Sequence, residues 1–111
     1  MKPVPNTYIG RLAAIIIAAI ACSSTQAAPP PGQLLASMCF QCHGTNGQAV
    51  GGFESIAGKS SREIYKELLE MSKRTKPEGI MDLQARAYTP NQILQIANYL
   101  ATLPKGANSD D

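Results

Sequence analysis

Cys39, Cys42 and His43 are the side chains of this sequence best suited to chemistry. They stand at i, i+3 and i+4, positions that share one face of a helix. Two thiols so placed can each add to a vinyl group of one porphyrin. The imidazole of the next residue then lies over the porphyrin centre, where it can bind iron. Cys-x-x-Cys-His is the attachment pattern of a c-type haem, so the reading is two covalent anchors, Cys39 and Cys42, and one iron ligand, His43. Covalent attachment suits an exported carrier, because the cofactor cannot be lost by dilution.

Three other uses of the same residues are weaker. A structural zinc site takes four ligands. Beyond the leader argued below, the chain offers two Cys and one His, and Cys42 and His43 are adjacent. A redox Cys-x-x-Cys of the thioredoxin type expects a βαβ setting, and no such pattern is visible. A structural disulfide is compatible with export but leaves His43 without a role.

Iron held by His43 needs a second axial ligand, and no other His exists. A methionine thioether favours reduced iron and raises the potential. Met38 precedes Cys39 on the same predicted helix, so it sits on the His43 side. Met71 keeps phase with Ile64 and Leu68 and reads as core filler. Met81 follows a Pro77/Gly79 break, 38 residues beyond His43, in a predicted loop long enough to reach the opposite face. Met81 is the expected ligand; the alternative is an empty or different sixth site. An iron-bound His also donates its other N–H to a carbonyl or carboxylate. The stretch from Gly51 to Gly58 is the expected source of that acceptor. Tyr65, Tyr88 and Tyr99 are expected in half-buried packing, the alternative being hydrogen bonds to haem propionates or backbone.

The elements that must position these groups are helical. Gly32 to Gln41 reads as a short first helix, with Leu34, Leu35 and Met38 giving it an apolar side. Residues 44–59 are a glycine-rich loop. Ser60-Ser61-Arg62-Glu63 fits a capping box, after which Ile64, Leu68 and Met71 recur at helical spacing. Residues 82–86 can form one further turn. Thr89-Pro90-Asn91-Gln92 is a second capping box with Pro in the first helical position. Ile93, Ile96, Ala97 and Leu100 then face one way, and the helix stops before Pro104. No run alternates as a strand does, and no repeat is visible. The expected fold is all-α with long loops, and long loops in a small domain need something to pack against.

Length and charge set the remaining bounds. A chain of 111 residues holds one small domain. Trp is absent and Phe occurs twice, so aromatic bulk is scarce; a haem would supply the missing apolar mass. Lys2 and Arg11 flank the start of an apolar run, Leu12 to Cys22. This run is shorter than the roughly 20 residues that span a bilayer and suits a secretory leader, with cleavage after Ala27. Residues 1–27 are therefore expected to be removed, 28–33 to form a Pro-rich linker, 34–104 the domain and 105–111 a flexible tail. An alternative is lipidation of Cys22 in Ala19-Ile20-Ala21-Cys22, which would anchor the protein to a membrane. The formal charge of +2 rests on Lys2 and Arg11, so the remainder carries eight basic and eight acidic residues. That balance gives no support for nucleic-acid binding, which wants a basic face.

From about Gly32 to Leu103 the chain resembles bacterial class I cytochromes c. The resemblance rests on Cys-x-x-Cys-His-Gly at 39–44, on Phe53-Glu54-Ser55-Ile56-Ala57-Gly58, on Met81, and on Ile96-Ala97-Asn98-Tyr99-Leu100. It implies three to five helices wrapped round one covalent haem c, the first and last helices crossing, and single-electron transfer through an exposed haem edge. Many relatives carry Pro where this chain has Glu54, and in them the carbonyl of that Pro accepts the His hydrogen bond; any residue has a carbonyl, so the departure removes the stiffness of Pro and not the contact. A narrower resemblance joins Cys-His-Gly-Thr-Asn-Gly at 42–47, Ile80-Met81, Ala85, Tyr88-Thr89 and the final helix. It is to the small cytochrome subunit of flavocytochrome c sulfide dehydrogenase, in which a flavoprotein oxidises sulfide. It implies a periplasmic electron carrier, not itself an enzyme, fed by a separate flavoprotein and discharging to an oxidase or another cytochrome. The alternatives are a free shuttle between respiratory complexes and, less well supported, a haem enzyme or gas sensor with an open iron site.

Overall fold

The computed structural model describes residues 1–3 and 26–106. The apolar run from Leu12 to Cys22, the lipidation alternative at Cys22 and the tail beyond Gly106 lie outside the described residues. Five α-helices and one 3-10 turn make up the described secondary structure, and no strand occurs among the described residues. The helices are α1 (Gln33–Ser37), α2 (Phe40–His43), α3 (Ser61–Lys73), α4 (Ile80–Ala85) and α5 (Pro90–Ala101); the 3-10 turn is Thr45–Gly47.

The expected first helix is divided in two. Met38 and Cys39 keep right-handed helical dihedrals, but the Cys39 N–H bonds the carbonyl of Ala36, three residues back. This tightening ends one helix and starts the next without reversing the chain. The His43 N–H returns to the Cys39 carbonyl at 2.9 Å, so Cys39 and His43 are one turn apart, as the spacing requires. Gly44 then turns the chain with φ 79°. A Cβ there would stand 2.2 Å from the Gln48 carbonyl oxygen, so glycine is needed.

The long helices start where the caps place them. The Ser60 hydroxyl accepts from the Glu63 N–H at 3.2 Å. Thr89 and Gln92 form both halves of the box, at 3.3 and 2.9 Å, with Pro90 at the first helical position. Helix α5 buries Ile93, Ile96, Ala97, Tyr99 and Leu100. Helix α3 presents Ile64 to it, and Ala36 of α1 joins the same cluster. Ser61 Oγ also bonds Asn98 Oδ1 at 2.5 Å, tying α3 to α5.

Helix α1 approaches α5 very closely at Gly32. A Cβ on Gly32 would lie 2.1 Å from the Gln95 carbonyl oxygen, and its φ is +83°. Only a residue without a side chain fits both constraints. At the other end, Gly106 is buried against Ser55, and Lys105 passes beside Gly58. The Gly58 N–H bonds the Leu100 carbonyl at 3.0 Å, so the long loop is fastened to the end of α5.

Helix α4 corrects the expected placement of Met81. The sequence reading puts Met81 in a loop; the structure makes it the second residue of a six-residue helix. A helix that short is marginal alone, and its cap residue, Gly79, has no side chain to offer. Asp82 supplies what Gly79 lacks. Its carboxylate accepts the Glu78 N–H at 2.7 Å and pairs with Arg74 Nη1 at 3.0 Å.

Candidate functional site

Helices α2 to α5, with the loop that follows α2, wall one cavity of about 340 Å³. Helix α2 brings Cys39, Cys42 and His43, and the loop brings Phe53, Glu54, Ile56 and Lys59. Ile64, Leu68 and Met71 come from α3, Met81 and Ala85 from α4, and Ile96 and Leu100 from α5; Tyr88 closes the set. The apolar stripes of α3 and α5 therefore serve this cavity as much as they serve the core.

Cys39 and Cys42 are both free thiols. Burial pushes the Cys39 thiol above its ordinary pKa, against a smaller opposing effect of its own backbone hydrogen bond. Cys42 is exposed. Among the described residues no group of three or more His, Cys, Asp or Glu side chains is placed to hold a metal ion, so a zinc reading finds no donor set there.

The His43 ring is held through Nδ1, which lies 2.7 Å from the Glu54 carbonyl oxygen. A carbonyl only accepts, so Nδ1 carries the proton and Nε2 keeps its lone pair for a metal. The expected source of this acceptor, the 51–58 stretch, is the observed one, at Glu54. The loop is pinned on both sides of the contact. Ile56 and Ala57 donate their N–H groups to the Gly47 carbonyl at 2.9 and 3.1 Å. Buried Ser55 accepts from the Ala49 N–H at 2.9 Å. Lys59 and Glu54 form an ion pair. The hydrogen bond that Lys59 donates to Glu54 raises the Lys59 pKa, burial lowers it by less, and the Glu54 charge adds to the rise.

Met81 lines the cavity from α4, as do Met38 and Met71 from their own elements. Asp82, beside Met81, is 2% exposed. The Glu78 N–H holds its carboxyl below the usual range, desolvation opposes this, and Arg74 reinforces it. Tyr88 also lines the cavity, and burial raises its phenol pKa. Tyr99 is buried in the core and Tyr65 packs against that core.

The sequence reading missed Lys59, Arg74, Asp82 and Gly32. An acidic residue in the first turn after an uncapped Gly79 was a local signal for Asp82. Gly32 carried none, because the carbonyl that requires it is 63 residues away in α5.

The donor chemistry fits a c-type haem. Two unpaired thiols, an imidazole with Nε2 available and three thioethers border one apolar-walled space.

Comparison with known proteins agrees. Residues 31–104 match the family model for cytochrome c. The cytochrome subunit of sulfide dehydrogenase from Chlorobaculum tepidum is 34% identical over 74 residues, covering 67% of this chain and 67% of that protein. Cytochrome c-552 of Acidithiobacillus ferridurans is 32% identical over 65 residues, 59% of this chain and 28% of its own length. Cytochrome c4 of Thiocapsa roseopersicina is 31% identical over 85 residues, 75% of this chain and 44% of its own. The chain therefore spans less than half of the last two. With its helical fold and its Cys39/Cys42 attachment motif, the chain belongs to the cytochrome c family, as an electron-transfer protein carrying covalently bound haem c.

Proposed function

We propose that this cytochrome is a periplasmic carrier with His43 and Met81 as axial iron ligands, receiving electrons from a sulfide-oxidising flavoprotein. The observation that carries the ligand assignment is that His43 and Met81 line one cavity from separate elements; Met71 lines it too, but in phase with Ile64 and Leu68 on the apolar stripe of α3. The similarity to the Chlorobaculum tepidum subunit over two thirds of both chains supports the donor assignment. Export is supported by the basic-then-apolar segment ahead of residue 27. On this reading a linker of 28–33 joins the leader to a domain of 34–104 with a tail of 105–111, although Gly32 and Gln33 pack with the domain and Gly106 is buried against Ser55, so the folded part reaches past both bounds.

Bound haem c supplies reversible one-electron oxidation and reduction of iron. The residues of the chain set the conditions. Cys39 and Cys42 hold the group in place through thioether bonds. The Glu54 carbonyl fixes the tautomer and angle of the His43 ring, which strengthens it as a donor. The Met81 thioether favours reduced iron. Ile64, Leu68, Ile96 and Leu100 keep water from the inner walls, which limits solvent rearrangement between the two oxidation states.

A far-red thioether-to-iron band in the oxidised protein tests the ligand. It is expected in wild type and in Met71→Ala, and absent from Met81→Ala; its persistence in Met81→Ala overturns the assignment and its absence from wild type points to an open site. Co-purification with a flavoprotein tests the donor. The similarity to a cytochrome c-552 and a cytochrome c4 supports a second reading, a freely diffusing shuttle; isolation as a monomer without flavin favours it.

A further inference from the structure

Four charged side chains around α4, those of Arg74, Glu78, Asp82 and Arg86, take no part in the cavity wall. Asp82 is 2% exposed, yet it carries a carboxylate. Arg74 Nη1 donates to its two oxygens at 3.0 and 3.4 Å, and the Glu78 N–H donates to Oδ2 at 2.7 Å. Arg86, just past α4, donates to the Arg74 carbonyl. Arg74 also reaches Glu78 Oε2 at 3.4 Å. The end of α3, the 74–79 connection and both ends of α4 are thus tied around one buried carboxylate.

We infer that Arg74 and Asp82 are positioning residues that lock α4 in place and so hold Met81 on the cavity. This rests on the reading of Met81 as a ligand. Met81 and Asp82 are consecutive on a helix too short to persist alone, so what fixes Asp82 fixes the backbone of Met81. The local caps do not suffice, because Gly79 offers no side chain. Burying a carboxylate is costly unless it is paired and hydrogen-bonded, and Asp82 has both kinds of partner. Removing the Arg74 guanidinium leaves that buried carboxylate short of its cation. The helix then gains by swinging out to hydrate Asp82, which carries Met81 away.

The test uses the full haem-loaded chain and imidazole as an external ligand. Imidazole takes the sixth position only when Met81 has left. Its apparent affinity therefore scales with the populated fraction of that state. Arg74→Gln and Asp82→Asn are each expected to tighten imidazole binding about tenfold, in line with a lost charge-assisted hydrogen bond. Both also weaken the far-red band, and Arg74→Lys restores most of each signal. The double variant should tighten binding little beyond either single one, because both break one contact. A lower unfolding midpoint with unchanged imidazole affinity and band intensity overturns the lock, because a merely structural role leaves the folded site intact. Arg74 has a side chain 37% exposed, so Arg74→Gln keeps the test usable if Asp82→Asn does not fold. Loss of the band in Met81→Ala beside unchanged affinity in Arg74→Gln refutes the lock alone. Retention of the band in Met81→Ala refutes the lock together with the ligand reading.

Discussion

Lys59 pairs with Glu54, the residue whose carbonyl orients the His43 ring. That pairing has a pH signature with a definite sign. Glu54 raises the Lys59 pKa in the folded chain. The pairing therefore stabilises fully below the unfolded lysine value of about 10.4 and is lost as pH rises through the raised folded value. Lys59→Met is expected to cost under about 1 kcal/mol near neutrality, because the Glu54 side chain is half-exposed. The gap to wild type should close at alkaline pH. Denaturant unfolding of the two proteins from pH 8 to 12 measures it, and a constant gap argues against the pairing. Cys39, Cys42 and His43 were legible because their relation is local: three positions on one helical turn need no knowledge of the rest of the fold. Lys59 was not legible in the same way. A lysine before a helix is usually a solvated charge, and only the folded loop shows its partner, Glu54.

At the scale of elements, caps and apolar periodicity placed α3 and α5 correctly, since both signals repeat along several turns. Helix α4 was legible only as a turn over 82–86; six residues hold too little periodicity to place its start at Ile80, and its stability comes from Asp82, Arg74 and the Glu78 N–H. The crossing of the first and last helices was expected from the resemblance, but the residue that permits the close approach, Gly32, gave no signal because it has no side chain. Gly32→Ala puts a methyl 2.1 Å from the Gln95 oxygen at φ +83°. The left-handed dihedral costs about 1–2 kcal/mol, and crowding adds roughly 1–3 kcal/mol. A loss of at least about 2 kcal/mol is expected in chemical denaturation, with α1 displaced from α5. A loss below about 0.5 kcal/mol would show that α1 accommodates the methyl by shifting.

For the molecule as a whole, the apolar surfaces of three helices converge on a space that the chain itself does not fill. The fully buried core is small, its largest apolar members being Ile93, Ile96 and Leu100. Small domains with thin cores usually need a staple. Replacing both thiols, Cys39→Ser with Cys42→Ser, is therefore expected to abolish cooperative thermal unfolding and near-ultraviolet dichroism while leaving some helical signal. A sharp transition in that variant would mean that the protein core alone suffices. Charge says less at this scale, since the basic excess of the sequence lies in Lys2 and Arg11.

The acceptor that orients His43 belongs to the main chain of Glu54. Every amino acid carries that carbonyl, so no codon change at position 54 can delete it. Damage to the contact must arrive through the path of the loop: the turn at Gly47, the buried hydroxyl of Ser55, or the fastening of Gly58 to Leu100. Inheritance here is of a shape more than of a residue. A saturation library should find position 54 permissive for haem retention and its neighbours strict.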